Sequence, residues 1–408
     1  MARDRAVRVY QEDWWPFRNL PAALRRFGER TGIATELAWD KVGVGTIETM
    51  FAHMVRSFTA DEPPFDLVCT DEVMLRRFAA EGRVLPLNRL MERDGITLDD
   101  VTPATREAVT LGGEVLGLPC VNVANMLLYR RDLLERHGLP VPQDWAGLER
   151  VATALQAAVR RDEGRQDFHG FATRGAGGGG HSVWTVGTFL ASFGGRWIDR
   201  DGRPTAQTPA AEAALETYRG LLAAAAPPDQ PSISFVELMR DYRAGRVGMI
   251  LEVGMEYAHL LQDDPDLAAR SGVALVPAGP AGRFANLYSP PWSIPRNSPV
   301  REEAWELARF LTSRGQLLED GLEAEAVETA PLPVLYDPAF DAHFRADLLM
   351  VTRATRAIAA EERPWSTLGI GACEAVGEAV CAMLRDGVPT RATLARIQSG
   401  LEALARHG

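Results

Sequence analysis

The chain has 408 residues, 46% of them apolar and 24% charged, with a formal net charge of −11. That length exceeds what a single hydrophobic core serves, so two lobes are expected. The acidic balance, with Lys and Arg scattered rather than gathered into a stripe, excludes nucleic acid as an expected partner, and no apolar run reaches the ~18–20 residues that span a bilayer.

Met1-Ala2-Arg3-Asp4-Arg5 leads straight into Ala6-Val7-Arg8-Val9-Tyr10, an alternating segment that predicts the first strand, with no apolar region of signal-peptide type before it. A leader is therefore expected either to have been removed or never to have existed. Val7–Tyr10 precedes a helix around Pro21–Arg30, Ala34–Trp39 a helix around Thr46–Phe58, and Phe65–Cys69 a helix around Asp71–Glu81. Strands separated by helices of that length predict right-handed crossovers and a parallel sheet, the first lobe of an α/β protein.

An extended stretch from Asn122 to Arg131 leads into the helix Asp132–His137, which Gly138-Leu139-Pro140-Val141-Pro142 breaks. The passage into the second lobe is placed near Asn122. Phe168–Thr173 predicts a short strand, Gly175–Gly180 a loop, and Ser182–Phe193 an apolar helix ended by Gly194-Gly195. Val247–Val253 and Val273–Pro277 predict further strands. Leu287–Pro295 is too dense in proline for a central strand and predicts a linker back to the first lobe. The helix Glu302–Leu311 follows, a further crossing is expected around Gly321–Pro333, and the remainder predicts helix. The expected lobes are thus 1–121 plus 285–325, and 122–284 plus 326–408.

Four cysteines make no disulfide framework in a chain this long. Cys373 and Cys381 fall in one predicted helix, ~12 Å apart and too far for a bridge. Cys69 and Cys120 end apolar segments that could be neighbours in a sheet. Buried free thiols are the expected state, and no pair has the spacing of a metal site.

Several segments together carry a family resemblance: Gly113-Glu114-Val115-Leu116-Gly117-Leu118-Pro119, then Leu127-Leu128-Tyr129-Arg130-Arg131-Asp132-Leu133, Gly138-Leu139-Pro140 and Trp145. Tyr242–Met249, Trp292-Ser293-Ile294-Pro295 and Ala304–Thr312 extend it along nearly the whole chain. In this order they resemble the family 1 extracellular solute-binding proteins of ABC importers, the maltose-binding-protein-like group. The resemblance implies a type II periplasmic-binding-protein fold: two α/β lobes, three crossings, a ligand cleft and hinge closure. It further implies a sugar or polyol as solute and membrane permease subunits as partners. A periplasmic or otherwise extracytoplasmic, membrane-associated location is expected, as are a monomer, no cofactor, no metal and no catalysis.

A sugar presents hydroxyls at its edge and C–H groups on its faces, so a site for one needs carboxylates or amides beside flat aromatics. Gln11-Glu12-Asp13-Trp14-Trp15-Pro16-Phe17 offers two acids and two indoles at the carboxyl end of a strand, where open α/β sheets hold ligands. Asp71 follows the third strand and reads as a helix N-cap or a ligand contact. Lys41 and Thr46 flank the loop before the second helix, and Asn122 and Asn125 stand at the first crossing, where an amide serves hinge backbone or ligand. The resemblance makes Trp184, just inside a second-lobe helix with His181 before it, a stacking ring. It also puts Glu252 and Met255 in a stretch where relatives carry an aromatic, Tyr288 and Trp292 at the second crossing, and Trp365 where a late aromatic enters the cleft. Met255 in place of tryptophan counts against an oligosaccharide stacked over several rings. Trp39, Trp145 and Trp305 read as core.

Rival classes leave weaker marks. Gly175–Ser182 has the spacing of a phosphate loop, but His181 stands where lysine is required. Adjacent acids such as Glu12 and Asp13 seldom flank one glycosidic bond, which weakens a carbohydrate-active enzyme as the alternative. A sensory module with the same clamp is not separable by sequence.

Overall fold

The computed structural model describes residues 6–41, 46–178, 180–360 and 367–407, with the side chains of 39–41, 46–48 and 407 left out. The chain forms two compact α/β units, Met1–Val123 with Tyr288–Leu349 and Ala124–Leu287 with Met350–Gly408, and passes between them three times. In chain order the strands are β1 (Val7–Asp13), β2 (Thr35–Lys41), β3 (Leu67–Cys69), β4 (Thr110–Leu111), β5 (Glu114–Val115), β6 (Leu118–Pro119), β7 (Val123–Arg130), β8 (His169–Ala172), β9 (Val247–Val253), β10 (Ser271–Leu275), β11 (Ala285–Tyr288), β12 (Pro291–Ser293) and β13 (Ala359–Ala360).

In the first unit the sheet order is β2-β1-β3-β12-β6, with β4 and β5 a separate hairpin. β1 pairs in parallel with β2 and β3, as the alternation of strand and helix predicts. Val7, Val9 and Tyr10 of β1 are buried, and the helix Leu20–Thr31, with a proline in its first turn, lays Leu20, Ala23, Leu24 and Phe27 into the core.

The proline-dense segment does carry the chain back to the first unit, at Leu287–Tyr288, but it is more than a linker, because β12 within it is an interior strand, antiparallel to both β3 and β6. Its proline stands first in a strand of three residues, a position that sheets tolerate. The Pro291 carbonyl still accepts the Thr70 N–H at 2.9 Å. Gly117 explains how β6 approaches: a Cβ there would lie 2.5 Å from Ser293 Oγ and 2.8 Å from the Trp292 carbonyl oxygen.

The third crossing also falls later than expected, at Leu349–Met350. The helix Arg314–Glu323 is tied to the first unit by Asn19 Nδ2 donating to Asp320 at 2.9 Å and by Arg26 paired with Glu319 at 2.7 Å. Beyond it, the N–H groups of Ala330 and Leu332 donate to the carbonyls of Cys120 and Asp100 at 3.1 and 2.7 Å.

In the second unit the sheet runs β13-β11-β7-β9-β8, with β10 also pairing β7. β8 is parallel to β9, and β7 antiparallel to it with Asn125 opposite Val253. The helix Trp145–Asp162 is capped by Asp144, whose carboxylate accepts the Gly147 N–H at 2.6 Å. Trp145 is core: its ring stacks on Phe189 with centroids 3.8 Å apart, and its indole N–H reaches Ser192 Oγ at 2.8 Å. Trp305 of the first unit is fully buried too.

Candidate functional site

Strand direction decides where each unit can hold a ligand, since open sheets bind at the carboxyl ends of their parallel strands. In the first unit that edge gathers the ends of β1, β2, β3 and β6 and the residues entering β12. Glu12, Asp13 and Trp14 stand there half-buried. The Trp14 ring leans on Tyr288 with centroids 5.9 Å apart, so the two expected aromatics meet. Asp13 pairs in register with Lys41, and Thr46 starts the next helix. The side chains of Lys41 and Thr46 lie outside the described residues.

Four first-unit candidates turn out to be built into the scaffold. Asp71 is buried and caps the helix Glu72–Ala80, accepting from the N–H of Val73 at 2.9 Å and of Met74 at 3.4 Å. Trp292 is 1% exposed, central in β12, with its ring edge-on to Phe17; it is a core residue because the segment carrying it is a strand and not a linker. Asn122 is fully buried, donating its amide to Thr105 Oγ1 and its N–H to the Glu328 carbonyl at 2.8 Å. Trp15 is buried in a short turn beneath the Arg18 guanidinium, which lies 3.1 Å from its ring centroid.

Below this edge sits Glu72, which follows Asp71 at the helix start after β3. Glu72 is fully buried and accepts the Ser289 N–H at 3.0 Å, fastening the chain that enters β12 to the helix after β3. Cys69 and Cys120 do not lie on adjacent strands, because β12 runs between β3 and β6, yet their thiols are within hydrogen-bonding reach. Burial pushes the Cys69 thiol well up, and Cys120, Glu72 and Glu12 push in the same direction. All four cysteines are free and buried.

In the second unit the corresponding edge holds the ends of β8 and β9 and the start of β7. Asn125, fully buried, accepts from Thr188 Oγ1 at 2.7 Å, and Thr188 in turn accepts the Asn286 N–H at 3.1 Å. Asn286 Nδ2 donates to the Trp184 carbonyl at 2.6 Å. This chain of amides locks the helix Ser182–Ser192 to the sheet. Trp184, 4% exposed, lies in the first turn of that helix, and His181 at its N-cap position. Met255 opens the helix Met255–Asp263 and is buried. Trp365 lies outside the described residues.

Glu252 is the largest departure from expectation. It is fully buried and engaged edge-to-edge by Arg174, Nε to Oε2 at 2.6 Å and Nη2 to Oε1 at 2.5 Å, while Oε1 also takes the Val253 N–H at 3.0 Å. A contact of Glu252 with solute would therefore run through Arg174, a residue the sequence reading did not single out. Two signals pointed to it: a cation just beyond the carboxyl end of β8, and an acid ending the apolar run of β9, which needs a cationic partner once buried. The Arg174 guanidinium also lies 6.0 Å from the Trp184 ring centroid and 5.4 Å from that of Phe235.

The glycine-rich loop before Trp184 is docked rather than open. A Cβ on Gly377 would lie 2.2 Å from the Gly178 carbonyl oxygen, and one on Gly177 would lie 2.6 Å from Glu378 Oε1. Gly177 and Gly178 thus pack closely against the helix Ile370–Asp386. No group of three or more metal-ligating side chains occurs among the described residues, and none of their helices is long and apolar enough to cross a membrane.

Comparison with known proteins agrees with this architecture. The mannitol-binding protein of Pseudomonas aeruginosa is 27% identical over 262 residues, 63% of this chain and 58% of that protein, so this chain spans little more than half of that relative's length. Among solved structures, an ABC transporter solute-binding protein from Agrobacterium radiobacter in complex with ribitol superposes with a TM-score of 0.85 at 22% identity, covering 99% of each chain. Maltose-bound MalE3 of T. maritima gives 0.83 at 23% identity, covering 98% of this chain and 99% of that one. The sequence matches the family described as bacterial extracellular solute-binding protein over residues 27–317. The chain belongs to that family.

Proposed function

We propose that this chain is the solute-binding component of an ABC importer, capturing a sugar or polyol by hinge closure of its two units and delivering it to a membrane permease outside the cytoplasm, without catalysis. The observation that carries this reading is the first-unit edge, where the half-buried Trp14 ring, braced by Tyr288, stands beside Glu12 and Asp13. A flat ring next to carboxylates suits the C–H face and hydroxyl edge of a neutral polyhydroxylated molecule. Mannitol and ribitol, named for two similar proteins, support a small polyol over a long oligosaccharide. So does Met255 where a further ring would extend a stacking surface.

Unliganded protein favours an open state in this scheme, and the solute stabilises the closed one by its differential affinity. Micromolar affinity, ~8 kcal/mol, is within reach of a few charge-assisted hydrogen bonds and one or two rings. The test is a thermal-shift screen of D-mannitol, ribitol, D-tagatose, maltose and sugar phosphates, followed by calorimetry on the hits, with aryl glycosides run alongside. Saturable binding of a neutral member without turnover is expected. Glycoside turnover, or no binding to any sugar or polyol, overturns the reading.

A further inference from the structure

Arg174 has five N–H groups, and its hydrogen bonds to the described residues account for three. Nε and Nη2 face Glu252, and Nη1 donates to the Gly180 carbonyl at 3.3 Å. Because the guanidinium is planar, engaging the Nε–Nη2 edge turns the second Nη2 N–H to the terminal edge, where an N–H of Nη1 lies beside it. The Arg174 side chain keeps 14% of its surface exposed, whereas Glu252 keeps none. Glu252 holds one edge, and Trp184 and Phe235 flank the group, so its orientation is fixed before any solute arrives.

Two parallel donors fit two oxygens on adjacent carbons. The ion pair behind them has no net charge, so the donors are presented without the field that a lone arginine exerts on anions. An acidic solute here would face the Glu252 carboxylate just behind the guanidinium, unsolvated and close. We infer that Arg174 is a specificity-determining residue of the solute site, reading a vicinal diol of a neutral polyol or sugar, and that Glu252 is its positioning residue, turning the site against sugar acids and phosphates. The inference rests on the sugar-or-polyol reading.

The experiment compares the wild-type chain with Arg174→Met, Arg174→Lys and Glu252→Gln. The probe is whichever of D-mannitol, ribitol, D-tagatose and maltose the wild type binds most tightly. Calorimetry is run with that probe, with its derivatives lacking one hydroxyl each, and with its carboxylate analogue. The wild type should lose tenfold or more on two deoxy derivatives from adjacent carbons. Arg174→Met should bind the parent at least tenfold more weakly and treat those two derivatives within twofold of the parent, a loss of discrimination that a merely structural role does not produce. Arg174→Lys keeps the charge without the paired edge and should behave alike, which covers a methionine variant that fails to fold. Glu252→Gln should shift preference at least tenfold toward the carboxylate analogue. Unchanged parent affinity, or undiminished discrimination in either arginine variant, overturns the inference and leaves the proposed function standing. A wild type that binds none of the four probes overturns the proposed function itself.

Discussion

Burial of Asp320 makes the stability of the chain depend on pH. The residue lies in the helix Arg314–Glu323 and lines a small cavity with Phe17, Leu20, Trp292, Leu311 and Leu317. Burial pushes its carboxyl from the ordinary 3.8 up to about 6, although Asn19 Nδ2 at 2.9 Å and Gln316 Nε2 at 2.7 Å both donate to Oδ1. The folded chain therefore holds this proton more tightly than the unfolded chain. Between pH 3.8 and about 6 the folded state binds the extra proton, so stability falls as pH rises through that window and the penalty is level above it. The gap corresponds to ~3 kcal/mol. Asp320→Asn keeps an acceptor for both donors and removes the charge, so it should stabilise the chain by ~2 kcal/mol at pH 7.5 once ~1 kcal/mol is allowed for placing the new amide. At pH 3.5 the benefit should vanish. Urea unfolding of both proteins at pH 3.5, 5, 6 and 7.5 isolates the effect, because every other titrating group cancels in the difference. A difference that stays flat across that range, or a variant less stable at pH 7.5, would refute the reasoning.

Two further outcomes follow from the second unit. Trp184→Ala should weaken solute binding by ~1–3 kcal/mol, the scale of a buried ring truncated at a binding site; unchanged affinity by calorimetry removes Trp184 from it. Gly377→Ala should push the Gly178 loop aside, since the new methyl would lie 2.2 Å from a backbone oxygen. The expected result is a stability loss of ~1–3 kcal/mol together with weaker binding, and a variant with wild-type unfolding and affinity would show that the loop yields freely.

The alternating strands and the helices between them were legible because each carries its own period: β1 shows its buried side as Val7 and Val9. β12 was not, because proline density argues against a strand, whereas three residues flanked by β3 and β6 need few ladder bonds of their own. The third crossing was misplaced for a related reason. Residues 328–332 are held to the first unit by backbone bonds to Cys120, Asn122 and Asp100, which no side-chain pattern announces. At the site, the acids and rings after β1 could be read from their position at a strand end. That Glu252 needs a cationic partner was legible from its place at the end of an apolar strand, but which cation was not, since Arg174 stands 78 residues away and only the sheet brings β8 beside β9.

The position of β12 has a consequence for synthesis. Until residues 291–293 leave the ribosome, β3 and β6 have no strand to join them, and the N-terminal unit stays a sheet with its centre missing. The half that begins first cannot close its sheet until residues 124–287 of the other have been translated, so a nascent chain stalled before Pro291 would expose apolar edges to chaperones and proteases.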